Sequence, residues 1–168
     1  GSEMCIRDRI INKPMIGHVY ERVIQCNLLT KVAVATCDNE IAEYINSIGG
    51  HAVMTSNKHE RASDRCSEAL KILEKRKKTK YDIVVMVQGD EPMVTSEMIK
   101  KSINPFIDEN INVVNLMTKI LTIEEFEDYN KPKVVVDHNN FAIYFSREPI
   151  PSRNKGVTKV PMYKQVCI

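Results

Sequence analysis

The chain has 168 residues, 43% of them hydrophobic and 27% charged, which suits one globular domain with a sizeable core. Its 24 basic and 22 acidic residues leave a formal charge of +2, so composition makes no case for a nucleic-acid or membrane partner. No apolar run reaches the roughly 20 residues of a membrane helix, and Glu3, Arg7, Asp8 and Arg9 are not the start of a signal peptide.

Gly1-Ser2 reads as a cloning remnant, and residues 1–9 as a non-native leader ahead of a single incomplete domain over residues 10–168. A helix is predicted from Pro14, because proline suits a first helical position and Met15, Val19 and Val23 then recur every fourth residue. Residues 31–36 read as a short strand. Asp38 is placed to cap a helix carrying Ile41, Ile45 and Ile48, which Gly49-Gly50 stops. Residues 52–54 read as a strand, residues 55–61 as a polar loop, and residues 63–77 as a helix with Cys66, Leu70 and Leu73 on one side. The basic run Lys75-Arg76-Lys77-Lys78 with Lys80 ends that helix, where cations suit the dipole, and is read as a solvated face.

Residues 82–87 are continuously apolar after Asp82, the pattern of a central strand in a parallel sheet covered on both faces. They run into Gln88-Gly89-Asp90-Glu91-Pro92, after which Thr95 opens a helix to about Phe106. Residues 112–118 read as a strand, and Thr122 with Glu125 as a capping box. Residues 133–137 and 141–145 flank Asn139-Asn140 and read as a β-hairpin, with Lys131 and Lys133 solvated before it. Alternating strands and helices at this spacing predict a three-layer α/β/α domain of Rossmann-like kind, its sheet mostly parallel with an antiparallel hairpin added. The five cysteines, Cys5, Cys26, Cys37, Cys66 and Cys167, form no CxxC pair and no zinc-site spacing, which fits reduced thiols in the cytoplasm.

Ligands of open α/β sheets bind beyond the carboxyl ends of the strands, which is where Gln88 to Pro92 falls. Gly89 permits a tight turn, and Asp90 then offers a carboxylate suited either to Mg²⁺ or simply to solvating the turn. Residues 59–65, His59-Glu60-Arg61-Ala62-Ser63-Asp64-Arg65, enter a helix whose free N–H groups can meet a phosphate or a nucleobase carbonyl. The same residues also fit a capped helix with surface ion pairs, and His59 reads as an exposed loop histidine. Arg147, at the hairpin's end, can clamp a carboxylate or lie on the surface.

Together these segments resemble the 3-deoxy-manno-octulosonate cytidylyltransferases (CMP-KDO synthetases). Gln88-Gly89-Asp90-Glu91-Pro92-Met93 after an apolar strand resembles the family signature, and residues 13–22, from Lys13 to Arg22, resemble its first helix. Residues 32–38 are similar to its second strand, and residues 133–137 with Tyr144-Phe145-Ser146-Arg147 to its hairpin. The resemblance, over residues 12–152, implies transfer of CMP from CTP to an acidic sugar, with release of pyrophosphate. It implies that Asp90 holds Mg²⁺, that Gln88 touches the sugar acid and that Arg147 faces the sugar's carboxylate. It assigns Ser63, Asp64 and Arg65 to the cytidine pocket, and implies a cytoplasmic homodimer joined near the hairpin.

Two departures bear on the sugar: Arg61 stands where the family has a small residue, and Gln165 where KDO enzymes carry a histidine. A sialic-type acid is the neighbouring alternative. The family's Arg-Leu-Pro-Gly-Lys-like triphosphate cradle has no counterpart before Asn12, and its second Mg²⁺-binding aspartate lies in a C-terminal segment beyond this chain. The expectation is therefore an incomplete form, weak or inactive by itself, with a noncatalytic nucleotide-binding or assembly module as the other reading.

Overall fold

A computed structural model describes residues 8–152 and 161–166; Cys5 and Cys167 lie outside the described residues. The described residues divide into two compact units, residues 8–112, and residues 113–152 with 161–166.

In the first unit, β1 (Arg9–Ile10) pairs antiparallel with β2 (Lys13–Pro14), and α1 (Met15–Val23) follows directly with Pro14 at its N-cap. The helix starts where proline predicts it, and its buried residues are Ile16, Gly17, Val19 and Val23. Strand β3 (Val34–Thr36) leads to α2 (Asn39–Ser47), whose Asp38 carboxylate accepts the Glu40 N–H at 2.8 Å and the Ile41 N–H at 3.4 Å. These are two of the four N–H groups that a helix start leaves without a partner. Gly49, at φ 77°, takes the left-handed conformation that turns the chain out of α2. Strand β4 (Ala52–Met54) then returns beside β3 in parallel, Val34 opposite Ala52 and Thr36 opposite Met54.

Ile16, Ile41 and Ile45 join α1 to α2, with Val34 and Ala52 of the strands packed against them. Gly17 lets Tyr44 close on this contact: a Cβ there would stand 2.3 Å from the Tyr44 hydroxyl oxygen, and the end of that ring would have to shift. Helix α3 (Ala62–Lys77) also packs on β3 and β4; only Ala69 is fully buried, while Cys66, Leu70 and Leu73 are half-buried. Thr95 caps α4 (Ser96–Ile103) by accepting the Met98 N–H at 3.2 Å, and a 3-10 turn, Asn104–Ile107, ends the helix around Pro105.

Two expectations change in this unit. The strand predicted over residues 31–36 shortens to β3. Residues 82–87 form no ladder with any described strand, and Ile83 and Val84 are 37% and 51% exposed where full cover was expected. The reason is spatial: β3 and residues 82–87 line one groove, so open space stands where a neighbouring strand would lie. The fold is α/β, and parallel pairing among the described residues is confined to the β3–β4 ladder.

The second unit is a four-stranded antiparallel sheet in the order β5-β8-β6-β7. Its strands are β5 (Leu116–Lys119), β6 (Lys133–Val136), β7 (Ala142–Ser146) and β8 (Tyr163–Val166). The β6–β7 hairpin forms as predicted. Asn140 is left-handed at φ 66°, and the Asp137 carboxylate accepts the N–H groups of Asn139 and Phe141, each at 2.8 Å. Helix α5 (Ile123–Glu127) is capped by Thr122, which accepts the Glu125 N–H at 3.1 Å. The Glu125 carboxylate reaches back to the Leu121 N–H at 3.2 Å, one residue earlier than a standard capping box. Among the described residues, Ile120, Phe126 and Val134 are this unit's buried apolar residues.

Lys133 is not solvated. Its side chain is wholly buried, and Nζ donates to the carbonyls of Asp128, at 2.6 Å, and Arg147, at 2.8 Å. Lys131 stays partly exposed and pairs with Glu125 at 3.3 Å.

Candidate functional site

The first unit contains a groove of about 1170 Å³. Its walls are apolar along Val19 and Val23 of α1 and Leu70 and Leu73 of α3, and its edges are residues 31–37 and 79–90. Where the chain leaves β3 and where it leaves residues 82–87 the lining turns polar, through Cys37, Gln88, Gly89 and Asp90, joined by Arg61 and Arg65. Strand carboxyl ends and a helix start thus converge on one opening, the place where ligands of open α/β sheets bind.

Hydrogen bonds fix the start of α3 against β3. The Thr55 hydroxyl donates to the Thr36 carbonyl at 3.1 Å and accepts from Arg65 Nη1 at 2.7 Å. The same Nη1 also reaches the Ser56 carbonyl at 3.1 Å. Glu68 holds the next turn of the loop, accepting the Ser56 N–H at 2.9 Å and pairing with His59. Those contacts, the Ser56 N–H first, hold the Glu68 carboxyl below its ordinary range. His59 is therefore engaged with Glu68 instead of standing free in the loop. No side chain caps the first turn of α3, which begins at Ala62 after Arg61. Burial pushes the neighbouring Cys66 thiol up, with Arg65 pulling slightly the other way, so this cysteine is a packing group.

The structure brings together part of the predicted set. Gln88, Asp90 and Arg65 share the groove. Ser63 and Asp64 are exposed on the first turn of α3 and do not line it. Arg147 belongs to the second unit, is exposed, and donates from Nη1 to the Tyr129 carbonyl at 3.1 Å. Gln165 there donates to the Asn115 side-chain oxygen at 3.0 Å. The sequence reading missed Thr36, Cys37 and Asn57 as groove residues. The carboxyl-end rule that found Gln88 would have found the first two had it been applied to β3.

Gln88 and Glu91 close a turn, the Glu91 N–H donating to the Gln88 carbonyl at 3.2 Å, so Asp90 is held at its apex. Its carboxylate is exposed, and among the described residues no hydrogen bond or ion pair engages it. Among those residues there is also no cluster of three His, Cys, Asp or Glu groups. A single free carboxylate fits Mg²⁺, which takes one or two carboxylates and completes its shell with substrate phosphates and water. It does not fit a metal held by protein ligands alone. The thiols of Cys26, Cys37 and Cys66 are free, and no described helix is long and apolar enough to cross a membrane.

Residues 8–167 match the family model described as Cytidylyltransferase. Among curated proteins, the chain is 41% identical over 143 residues to a 3-deoxy-manno-octulosonate cytidylyltransferase of Trichlorobacter lovleyi, covering 84% of this chain and 54% of that protein. It is 41% identical over 164 residues to the protein of the same name from Thermodesulfovibrio yellowstonii, covering 94% and 64%. The solved structure of CMP:2-keto-3-deoxy-manno-octonic acid synthetase complexed with CTP matches with a TM-score of 0.83 and 35% identity, over 97% of this chain and 64% of that one. The chain thus spans between about half and two thirds of the length of these relatives.

Proposed function

Because the chain belongs to the cytidylyltransferase family, we propose that it carries the nucleotide-binding part of an enzyme that transfers CMP from CTP to an acidic sugar of the KDO type. The observation that carries this reading is the shared groove of Gln88, Asp90 and Arg65, at the carboxyl ends of β3 and residues 82–87. In the reaction, a sugar hydroxyl oxygen bonds to the α-phosphorus of CTP. The bond from that phosphorus to the α,β-bridging oxygen breaks, and pyrophosphate leaves with the electron pair.

Such transfer depends on positioning and on stabilising phosphate charge more than on covalent chemistry by the protein. Asp90 would hold Mg²⁺, whose contribution when bound is to neutralise phosphate oxygens. Gln88, an uncharged donor and acceptor beside it, orients the sugar acid. Arg65 is half engaged with Thr55 and Ser56, which fixes its fork while leaving Nη2 for the nucleotide. Ser63 and Asp64, exposed outside the groove lining, keep only the cytidine role that the resemblance gives them. Arg147, on the second unit, keeps the sugar-carboxylate role that the resemblance gives it. Free thiols support action in the cytoplasm, and a homodimer joined near the hairpin is what the resemblance implies.

Titration calorimetry with Mg²⁺, using CTP, UTP and ATP against the chain and its Asp90→Ala variant, tests the reading. CTP-selective binding that weakens at least tenfold in the variant is expected. Equal affinity for the three nucleotides, or none in a folded sample, would overturn it. A pyrophosphate-release assay with KDO and with a sialic acid then separates the sugars. CTP binding without turnover would mark this chain as the noncatalytic module.

A further inference from the structure

Helix α3 carries Arg65 and Glu68 one turn apart on the same face, and together they hold Ser56 by both of its backbone groups. The Ser56 N–H donates to the Glu68 carboxylate at 2.9 Å, and the Ser56 carbonyl accepts from Arg65 Nη1 at 3.1 Å. Of these three residues only Arg65 lines the groove. An acid outside the groove thus shares a clasp with a cation inside it.

The clasp begins where the strand ladder stops. Thr55 is tied to the end of β3, its N–H and hydroxyl both donating to the Thr36 carbonyl, at 2.8 and 3.1 Å. The next N–H, that of Ser56, finds its partner 12 positions away in Glu68. The Lys58 N–H donates to the Ser56 hydroxyl at 3.2 Å and stiffens the same stretch. The Glu68 oxygen that accepts from Ser56 also pairs with His59, and His59 lines the groove beside Asn57, Glu60 and Arg61. Glu68 therefore anchors the loop that walls the groove at its polar end.

What this does to Arg65 follows from its two acceptors. Nη1 bonds the Thr55 hydroxyl at 2.7 Å and the Ser56 carbonyl at 3.1 Å. With Thr55 alone the guanidinium swivels about one bond; with both acceptors its plane is fixed, and Nη2 is held in one place. A backbone N–H that loses its acceptor seeks water or another partner, so releasing Ser56 from Glu68 also moves the carbonyl that Arg65 needs. We propose that Glu68 is a positioning residue: it fixes Ser56, through Ser56 the Arg65 guanidinium, and so the affinity of the groove for nucleotide. The proposal rests on the reading of this groove as the CTP site.

The test compares the chain with Glu68→Ala, Glu68→Asp and Glu68→Gln. Alanine removes the acceptor, aspartate keeps the charge but shortens its reach, and glutamine keeps an oxygen where both bonds are made. Nuclear magnetic resonance relaxation of the Arg65 Nε–H group, without nucleotide, reads the positioning directly. The group is expected to be ordered in the unmodified chain and in Glu68→Gln, and mobile in the other two. Titration with CTP and Mg²⁺ should show affinity falling roughly tenfold in Glu68→Ala and Glu68→Asp and largely restored in Glu68→Gln. Combined with Arg65→Ala, Glu68→Ala should cost far less than it does alone, because the two act as one unit. Equal order of Arg65 in all four proteins overturns the proposal, and so do losses that simply add. An unmodified chain that does not bind CTP overturns the nucleotide reading instead, and the relaxation of Arg65 still decides the role of Glu68.

Discussion

Lys133 begins β6 with its ammonium group buried between two carbonyls, those of Asp128 and Arg147. Hydrogen bonds of this charged kind contribute roughly 1.5–3 kcal/mol each, and removing the donor leaves carbonyls without a partner. Lys133→Met keeps the length of the stem and loses both bonds. It is expected to destabilise the second unit by about 3 kcal/mol, measured as a lower urea midpoint with an unchanged slope. A change within a few tenths of a kcal/mol would mean that water replaces the ammonium. Because the Arg147 carbonyl is one of the two anchors, the variant should also loosen the backbone that carries the Arg147 side chain. None of this was legible in the sequence, where a lysine before three valines reads as a strand's polar entry. The carbonyl partners come from residues five and fourteen positions away. Asp90 was legible for the opposite reason. Its position depends only on the local pattern of apolar run, glycine and acid, and the turn at Gln88–Glu91 supplies what that pattern asks for.

Caps and turns carried the element-scale reading, because each is decided within four residues. Asp38, Thr95 and Thr122 all accept helix N–H groups as expected, and Asp137 with Asn140 makes the hairpin turn. Pairing between distant segments was not legible. Nothing within residues 163–166 alone marks a strand, yet β8 sits between β5 and β6 and holds the second sheet together. Residues 82–87 have the strongest strand pattern in the chain and no strand partner among the described residues, because pairing requires a neighbour and sequence pattern reports only the segment itself.

The attachment of β8 has a titratable part. Glu125 pairs with Lys164 of that strand, accepts the Leu121 N–H and pairs with Lys131. These contacts, Lys164 foremost, hold its carboxyl down from 4.5 to about 2. A carboxyl depressed in the folded state binds its proton more readily once unfolded, so it contributes stability above the unfolded value. That contribution is expected in full above about pH 4.5 and to fade as pH falls toward 2. Plotting Tm against pH for the chain and for Glu125→Gln checks this: the two curves should be separated at neutral pH and converge through that window. Parallel curves down to the lower limit would show that the ion pair does not couple to folding.

At the scale of the whole molecule, the homodimer of the functional reading needs a surface, and the second unit has a candidate. Among the described residues, strand β7 is an edge of its sheet, so no described strand pairs with one side of its backbone. Ile143, Tyr144 and Phe145 along it are 66%, 61% and 39% exposed, with Phe141 before it at 56%. An apolar edge of this kind pairs with another chain unless it is charged or covered, and no lysine or proline lies within Ala142–Ser146. Two copies of β7 meeting edge to edge would be related by a twofold axis, the symmetry of most homodimers. Sedimentation velocity is expected to show a concentration-dependent monomer–dimer equilibrium, and Ile143→Lys to shift it to monomer without altering the far-ultraviolet circular dichroism. A single monomeric species at every concentration would remove the homodimer from the functional reading. A dimer that survives Ile143→Lys would move the association elsewhere.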